Sequence, residues 1–515
     1  MPDLTPVIIG VGEASERIDA PDYAALSPAD LAGKAARAAC DDALSAWALA
    51  PHIDLIAAIR QFEVSIPGVV PPFGRSDNFP RAVARRIGAD PAHAILEPVG
   101  GQGPQHLVNE LSGAIAAGEM GMALICGSEA ISTVRHLMTR GEIRDWSEEI
   151  GGQLEDRGLG EALLTADLAR HGARTPISVY ALAENARRAK LGLGREAYRL
   201  EMARLFAPFT PIAAANPHAM AREVHSAEEL ATVTAANRLT SDPYPRRMVA
   251  RDQANQGAAV LITSVARARE LGVPEDRFVY LHGGADARER TVMQRRDLSA
   301  YPAAVLAARR ALEVAGAMPG DLDYFDLYSC FPIAVSTVRD GLGLDPGDPR
   351  PLTVTGGLPY FGGAGNNYSM HAIASMVRAL RAKPGALGFV GANGGFLSKY
   401  SAGVYSTTPR PWTALDSAGI QAEIDAWPAP AIASGTGEGV VETFTIDYSA
   451  PEPRGVIIGA LANGGARFVA MTDPDQPAVV QSMIASDPLG AHVALILNDK
   501  ERSLVRSITP AGAPI

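Results

Sequence analysis

Few cysteines, no long apolar run and no basic excess mark this 515-residue chain, and each shortage removes a class of function. The three cysteines, Cys40, Cys126 and Cys330, lie far apart and form no C-x-x-C pair. That argues against a disulfide framework and against a structural zinc site, and no metal is expected. No stretch reaches the roughly 18 apolar residues of a membrane helix. The opening PDLTPVIIGVGEA has no basic n-region, so the expected location is the cytoplasm, without a membrane span. A formal net charge of −11 leaves no basic stripe to neutralise phosphates, which excludes nucleic acid as an expected partner.

What is present is enough apolar material for a core: 47% hydrophobic and 20% charged residues exclude a largely disordered chain. The length suggests about three domain-sized units. One stretch, 95–130, organises the rest: ILEPVGGQGPQHLVNELSGAIAAGEMGMALICGSEA. A short apolar run turns on Gly100, Gly101 and Gly103, continues with Leu107, Val108, Leu111 and Ile115 at helical spacing, and returns as an apolar run from Met120 to Cys126. This reads as strand, tight turn, helix, strand. The helix N-terminus then points into a glycine turn at the end of a buried strand, where free N–H groups favour an anion or a developing oxyanion.

The same grammar occurs twice. Val7–Val11, the alanine-rich 28–44 and HIDLI are followed far downstream by VYLHGGADA, YPAAVLAARRALEVAG and LDYFDL. The helix and strand of 105–127 correspond to 367–391, NYSMHAIASMVRALRAKPGALGFVG. Two similar α/β halves are expected, each a mixed sheet covered by helices, with central helices starting at Gln105 and near Tyr368. Between them lies a long insertion whose patches PFTPIAAANPHAM and NRLTSDPYPRR suggest a loop region covering a site. The expected units are 1–130 with 245–265, an insertion over 131–244, a second half over 266–410, a linker over 411–439 and a small β-barrel over 440–515. The barrel, related to oligonucleotide/oligosaccharide-binding folds, follows from VVETFTIDY, GVIIGAL, ARFVAMT, HVALIL and SLVRSI, apolar or alternating strands with turns between them. It is expected to fold as its own unit and to supply no central acid/base group.

Three local motifs, with the duplication, resemble the thiolase superfamily over about Pro6 to Thr407. PVGGQGPQHLVNELSGAIAAGEMGMALICGSEA resembles the nucleophile turn, central helix and following strand. RDQANQGAAVLITS resembles the opening of the family's second half. DLYSCFP, then TGGLPYFGGAGNNYSMH and GANGGFLSKYSAGVYS, stand in the order of its acid/base motifs. The added C-terminal β domain is similar to that of type 1 thiolase-like proteins, relatives of the sterol-carrier-protein-type thiolases. The resemblance implies a duplicated thiolase fold, layered α-β-α-β-α, with coenzyme A or an acyl-CoA as substrate or ligand and no covalently bound cofactor.

The chemistry departs from that pattern. The nucleophilic cysteine position falls at Gly100 or one residue to either side; the Gly-His-Pro counterpart is Gly362, Gly363, Ala364; and the cysteine of the last motif is missing from 391–395. Ordinary thiolysis is therefore not expected. Cys330 is either a small buried hydrophobe or a relocated nucleophile, and the second reading requires a thiolate-stabilising neighbour such as His371. His371 is read as a displaced base or a packing residue. Tyr328, Asn366 and Asn367 are polar groups able to hold a thioester oxygen. The expected catalytic set is Cys330, His371 and Tyr328; the expected binding set is Gly100, Gly101, Gln102, Asn366, Asn367, Asn393 and Gly394. Three functions compete: an atypical acyltransferase or C–C-bond enzyme, a hydroxyacyl-CoA retro-aldol lyase in which a phenol and a histidine move protons, and a silent acyl-CoA-binding protein. The expected partner is acyl-CoA, with the chain a homodimer or a monomer.

Overall fold

Local sequence sets the helix boundaries. Ser27 caps the Pro28–Ala43 helix by a reciprocal box with Asp30, and Thr175 does the same with Ser178 for the Pro176–Leu191 helix, which Gly192 ends in a left-handed turn. In the computed structural model, which describes residues 3–161 and 164–510, such helices flank one continuous ten-stranded sheet. The range ends 1–2 and 511–515, and residues 162–163 of the insertion, lie outside the described residues.

The first half contributes β1 (Pro6–Ser15), β2 (Leu55–Ala58), β3 (His93–Leu96), β4 (Met122–Ala130) and, at the edge, β5 (Glu155–Asp156). The insertion carries a small hairpin of β6 (Leu239–Ser241) and β7 (Tyr244–Pro245), and β8 (Asn255–Ser264) returns to the first half between β1 and β4. The second half supplies β9 (Val279–Arg288), β10 (Tyr324–Leu327), β11 (Leu387–Gly394) and β12 (Lys399–Ser406). Across β1–β8–β4–β2 the pairings run antiparallel, antiparallel, parallel; across β9–β12–β11–β10 they repeat in the same order. The halves join where β1 and β9 pair antiparallel, Val7 opposite Tyr280. An identical pairing pattern on either side of an antiparallel seam is the signature of an internal pseudo-twofold, and the expected duplication is present.

Two central helices, Gly103–Ala116 and Tyr368–Ala382, pack against each other. Both begin without a side-chain cap, at Gln102 and Asn367. In the first of them Gly103 N donates to the Gly100 carbonyl at 3.0 Å and Pro104 has no N–H, so the N-terminal turn of the second is the one left without a side-chain acceptor.

The C-terminal strands β13 (Gly437–Asp447), β14 (Arg454–Leu461), β15 (Arg467–Thr472), β16 (His492–Leu497) and β17 (Ser503–Thr509) close on themselves in the order 13-14-15-17-16. Only β15 and β17 are parallel, and the Pro477–Ala485 helix links β15 to β16. This is the expected small barrel of the oligonucleotide/oligosaccharide-binding kind. Its dependence on the insertion is greater than the sequence suggested. Val456, Ile458 and Val469 are buried in one cluster with Leu168, Val179 and Leu182, and Asn185 donates to the carbonyls of Phe444 (3.0 Å) and Asp242 (2.9 Å). The Ala418–Ala426 helix, inside the expected linker, packs on β9 and on the Pro302–Ala315 helix.

Candidate functional site

The turn between β3 and the first central helix has φ +153° at Gly100, a backbone open to glycine and strained for other residues. Space excludes a side chain there as well. A β-carbon on Gly100 would lie 2.9 Å from Cδ of Gln102, and one on Gly394 3.0 Å from the same atom and 3.3 Å from the Cα of Gly100. The Gln102 amide thus fills the gap between the two glycine turns, and its Oε1 is buried without a hydrogen-bond partner among the described residues. At Gly101 a β-carbon would meet Tyr328 Cζ at 2.6 Å and the carbonyl of Asn393 at 2.7 Å, with the Tyr328 hydroxyl closer still. The phenol occupies the room that a nucleophile's side chain on Gly101 would need.

A second set of groups gathers beneath Tyr328. Asn393 Nδ2 donates to the Tyr180 hydroxyl at 2.7 Å and approaches Cys330 Sγ at 3.7 Å, while its Oδ1 has no partner among the described residues. Tyr180 in turn donates to the carbonyl of Gly395 (3.0 Å), accepts from Leu397 N (3.3 Å) and stacks on Phe331 at 4.4 Å. Burial pushes the Cys330 thiol up to about 12 and drives the Tyr328 and Tyr180 phenols well above their ordinary range. Every one of these groups is neutral near pH 7.

The second helix N-terminus closes the site from the other half. Gly100 N donates to Asn366 Oδ1 at 3.1 Å, and Asn366 Nδ2 donates to the carbonyl of Arg60 at 2.8 Å. Asn367 donates to the carbonyl of Gly127 at 2.8 Å, and Ser369 Oγ donates to that of Gly101 at 2.6 Å. Asn366 and Asn367 are therefore braces between the halves.

His371 departs from the expected arrangement. Its Nδ1 is hydrogen-bonded to Glu13 Oε1 at 2.6 Å, Glu13 also pairs with Arg378, and the imidazole packs 5.1 Å from Phe361. The thiolate-stabilising neighbour that a nucleophilic Cys330 would require is not supplied by His371, which turns toward β1 while Cys330 faces Asn393. Burial would raise Glu13, but the hydrogen bond and charge of His371, with Arg378, outweigh it and hold the carboxyl at about 2. Gly100, Gly101, Gln102, Tyr328, Cys330, Asn366, Asn393 and Gly394 thus come together, Asn367 braces their edge, and His371 belongs to a separate ion-paired group.

Sequence reasoning missed Tyr180 and Glu13. Tyr180 sits in the insertion, about 150 residues from Cys330, with no motif spacing to mark it. Glu13 carried a readable signal, a carboxylate inside an otherwise apolar strand.

Residues 419–500 match the family described as the thiolase-like protein type 1 additional C-terminal domain. The crystal structure of a monomeric SCP2-thiolase-like protein type 1 from Mycobacterium smegmatis is 46% identical, with 98% of this chain and 99% of that one covered at a TM-score of 0.83. The chain belongs to the SCP2-thiolase-like type 1 proteins. More distant thiolase-fold structures show the fold alone: an Ltp2-ChsH2(DUF35) aldolase at 18% identity (79% and 98% covered, TM-score 0.59) and the dimeric peroxisomal thiolase of Saccharomyces cerevisiae at 14% (78% and 97% covered, TM-score 0.55). No curated protein matches the chain. Within this type 1 protein, then, the thiolase-like body brings two helix N-termini to one place, with the neutral groups of Tyr328, Cys330 and Asn393 beside them.

Proposed function

We propose that this type 1 protein holds a coenzyme A thioester at the meeting of its two central helix N-termini and does not pass the acyl group through a cysteine. The observation that carries this reading is the Tyr328 phenol packed against Gly101, in the room a nucleophile would fill. The N-terminal turn of the second central helix and a neutral phenol suit a thioester carbonyl oxygen, which gains charge when polarised and needs donors. The Cys330 thiol, held protonated, has a carboxamide beside it in place of a base, so the acyltransferase reading loses its nucleophile. The three cysteines are unpaired and buried, which fits the reducing cytoplasm. A monomer is the proposed state: β5 of the same chain covers the outer edge of β3, and the Mycobacterium smegmatis protein is described as monomeric.

A second reading rests on the same phenol. In retro-aldol cleavage of a 3-hydroxyacyl-CoA the C2–C3 bond breaks, the Tyr328 phenol gives its proton to C2 of the released acyl-CoA enolate, and the proton that the hydroxyl loses as it becomes a carbonyl passes through water back to the Tyr328 phenolate. The aldolase among the structural neighbours has the same fold.

Calorimetric titration with acetyl-CoA and 3-hydroxyacyl-CoA, followed by mass spectrometry of the products, separates these. Binding without turnover supports the first reading, and release of an aldehyde or ketone supports the second. Acyl exchange onto free coenzyme A, or absence of binding, overturns the proposal.

A further inference from the structure

A cavity of about 770 Å³ opens between the insertion and the outer side of the second central helix. None of its lining residues belongs to the glycine-turn cluster. One wall is apolar, formed by Pro211, Ile212 and Ala215 of the Phe209–Ala215 helix with Val354 opposite. The other is polar, with Ser375 and Arg378 from the second central helix and His218 from the loop. The volume falls in the range of small-molecule sites, roughly 300–1,000 Å³.

The walls are fixed before any ligand arrives. Asn216 donates to the carbonyl of Thr355 at 3.1 Å and accepts from His218 N at 3.0 Å, which ties the loop to the second half. His218 Nδ1 meets Ser15 Oγ at 3.0 Å. Burial lowers the His218 pKa, so this ring brings no charge at neutral pH. The charge comes from Arg378. Its Nη1 is on Glu13, whose side chain is only 1% exposed and whose other oxygen is taken by His371. The Arg378 side chain is itself 45% exposed, and a guanidinium has five donors in a planar fork, so its outer edge is presented to the groove. Arg222, with its guanidinium on the carbonyl of Pro217, adds positive potential nearby.

We propose that this groove binds an amphipathic carboxylate, its apolar chain along the 209–215 wall and its carboxylate on the outer edge of Arg378, with Ser375 Oγ as a further donor. A planar bidentate fork fits a carboxylate, and one accessible guanidinium with an apolar wall favours a monoanion over a multiply charged phosphate ester.

Octanoate serves as the probe, titrated by calorimetry into the full chain. Binding to the wild type is expected, weakened about 10- to 100-fold by Arg378→Ala, as for loss of a charge-assisted contact. Octan-1-ol, with the same chain and no charge, is expected to bind more weakly and to be insensitive to that change. Arg378→Ala also deprives Glu13 of a partner, so two further variants guard against a folding artefact. Arg378→Lys keeps the charge and is expected to retain part of the affinity. Ala215→Trp fills the groove away from Glu13 and is expected to abolish octanoate binding with the melting temperature unchanged. Equal octanoate affinity in the wild type, Arg378→Ala and Ala215→Trp, or no binding to the wild type, overturns the proposal.

Discussion

A β-carbon on Gly101 would stand 2.6 Å from Cζ of Tyr328, inside the contact distance of real atoms. Gly101→Ala is therefore expected to destabilise the fold by about 1–3 kcal/mol, the usual cost of overpacking. Urea unfolding measures it. Tyr328→Ala in the same chain should recover part of the loss, because the two residues share the space; the Asn393 carbonyl at 2.7 Å keeps the recovery incomplete. Strict additivity of the two changes would show that Tyr328 is not what fills the site.

Cys330 should behave as an inert thiol. With its pKa pushed up to about 12, roughly one molecule in 10⁵ carries the thiolate at pH 7, and alkylation by iodoacetamide follows the thiolate. Labelling of the folded protein is expected to be negligible at pH 7 beside the same protein in urea, and to rise as pH approaches 12. Rapid labelling of Cys330 in the folded chain would restore it as a nucleophile.

The Glu13, His371 and Arg378 group makes stability depend on acid. Glu13 lies at about 2 folded against an ordinary 4.5, a depressed pKa, so its contribution is complete above about pH 4.5 and is lost as pH falls toward 2. At about 1.4 kcal/mol per pH unit this amounts to about 3 kcal/mol. Glu13→Gln should remove most of that contribution at pH 6 and flatten the acid limb of a stability profile taken between pH 3 and 6. An unchanged slope would mean that the carboxyl is not held by its partners.

The barrel is expected to be inseparable from the body. A chain ending at Thr436 exposes Leu168, Val179 and Leu182 and leaves Asn185 and Arg188 without Phe444 and Asp487, so it should aggregate or lose cooperative unfolding. The milder Asn185→Ala takes a donor from the Phe444 carbonyl and the acceptor from Arg188 Nε, while Thr445 Oγ1 still donates to the Asp242 carbonyl at 2.9 Å, at a cost of about 1–3 kcal/mol by thermal or urea unfolding. Tyr180 lies five residues earlier on the same helix, so acetyl-CoA affinity should fall with it. A truncated chain that unfolds cooperatively at the wild-type temperature would return the barrel to the independent unit expected from sequence.

Much of this was legible before the fold was known. The β3–turn–helix–β4 unit, its second copy and the five barrel strands follow from periodicity and glycine placement, because each buries a face set by local spacing. Gly100, Gly101 and Gln102 were marked by the turn itself. The partner of His371 was not, since a histidine in the first turn of a buried helix can face either half of the molecule and only packing decides that it meets Glu13. Tyr180 was invisible for a related reason: it reaches the site from the insertion, and its hydroxyl finds Asn393 across 213 positions of sequence. The barrel's attachment escaped notice because Val456, Ile458 and Val469 have the same alternating pattern whether they face solvent or another domain.

Mass spectrometry of the protein mixed with acetyl-CoA, sprayed first from a native and then from a denaturing solution, tests the central claim most directly. The account predicts a native adduct with the mass of whole acetyl-CoA that disappears completely on denaturation. An acetyl group remaining on the denatured chain would contradict it by revealing a working nucleophile, and the absence of any native adduct would contradict it by removing the ligand.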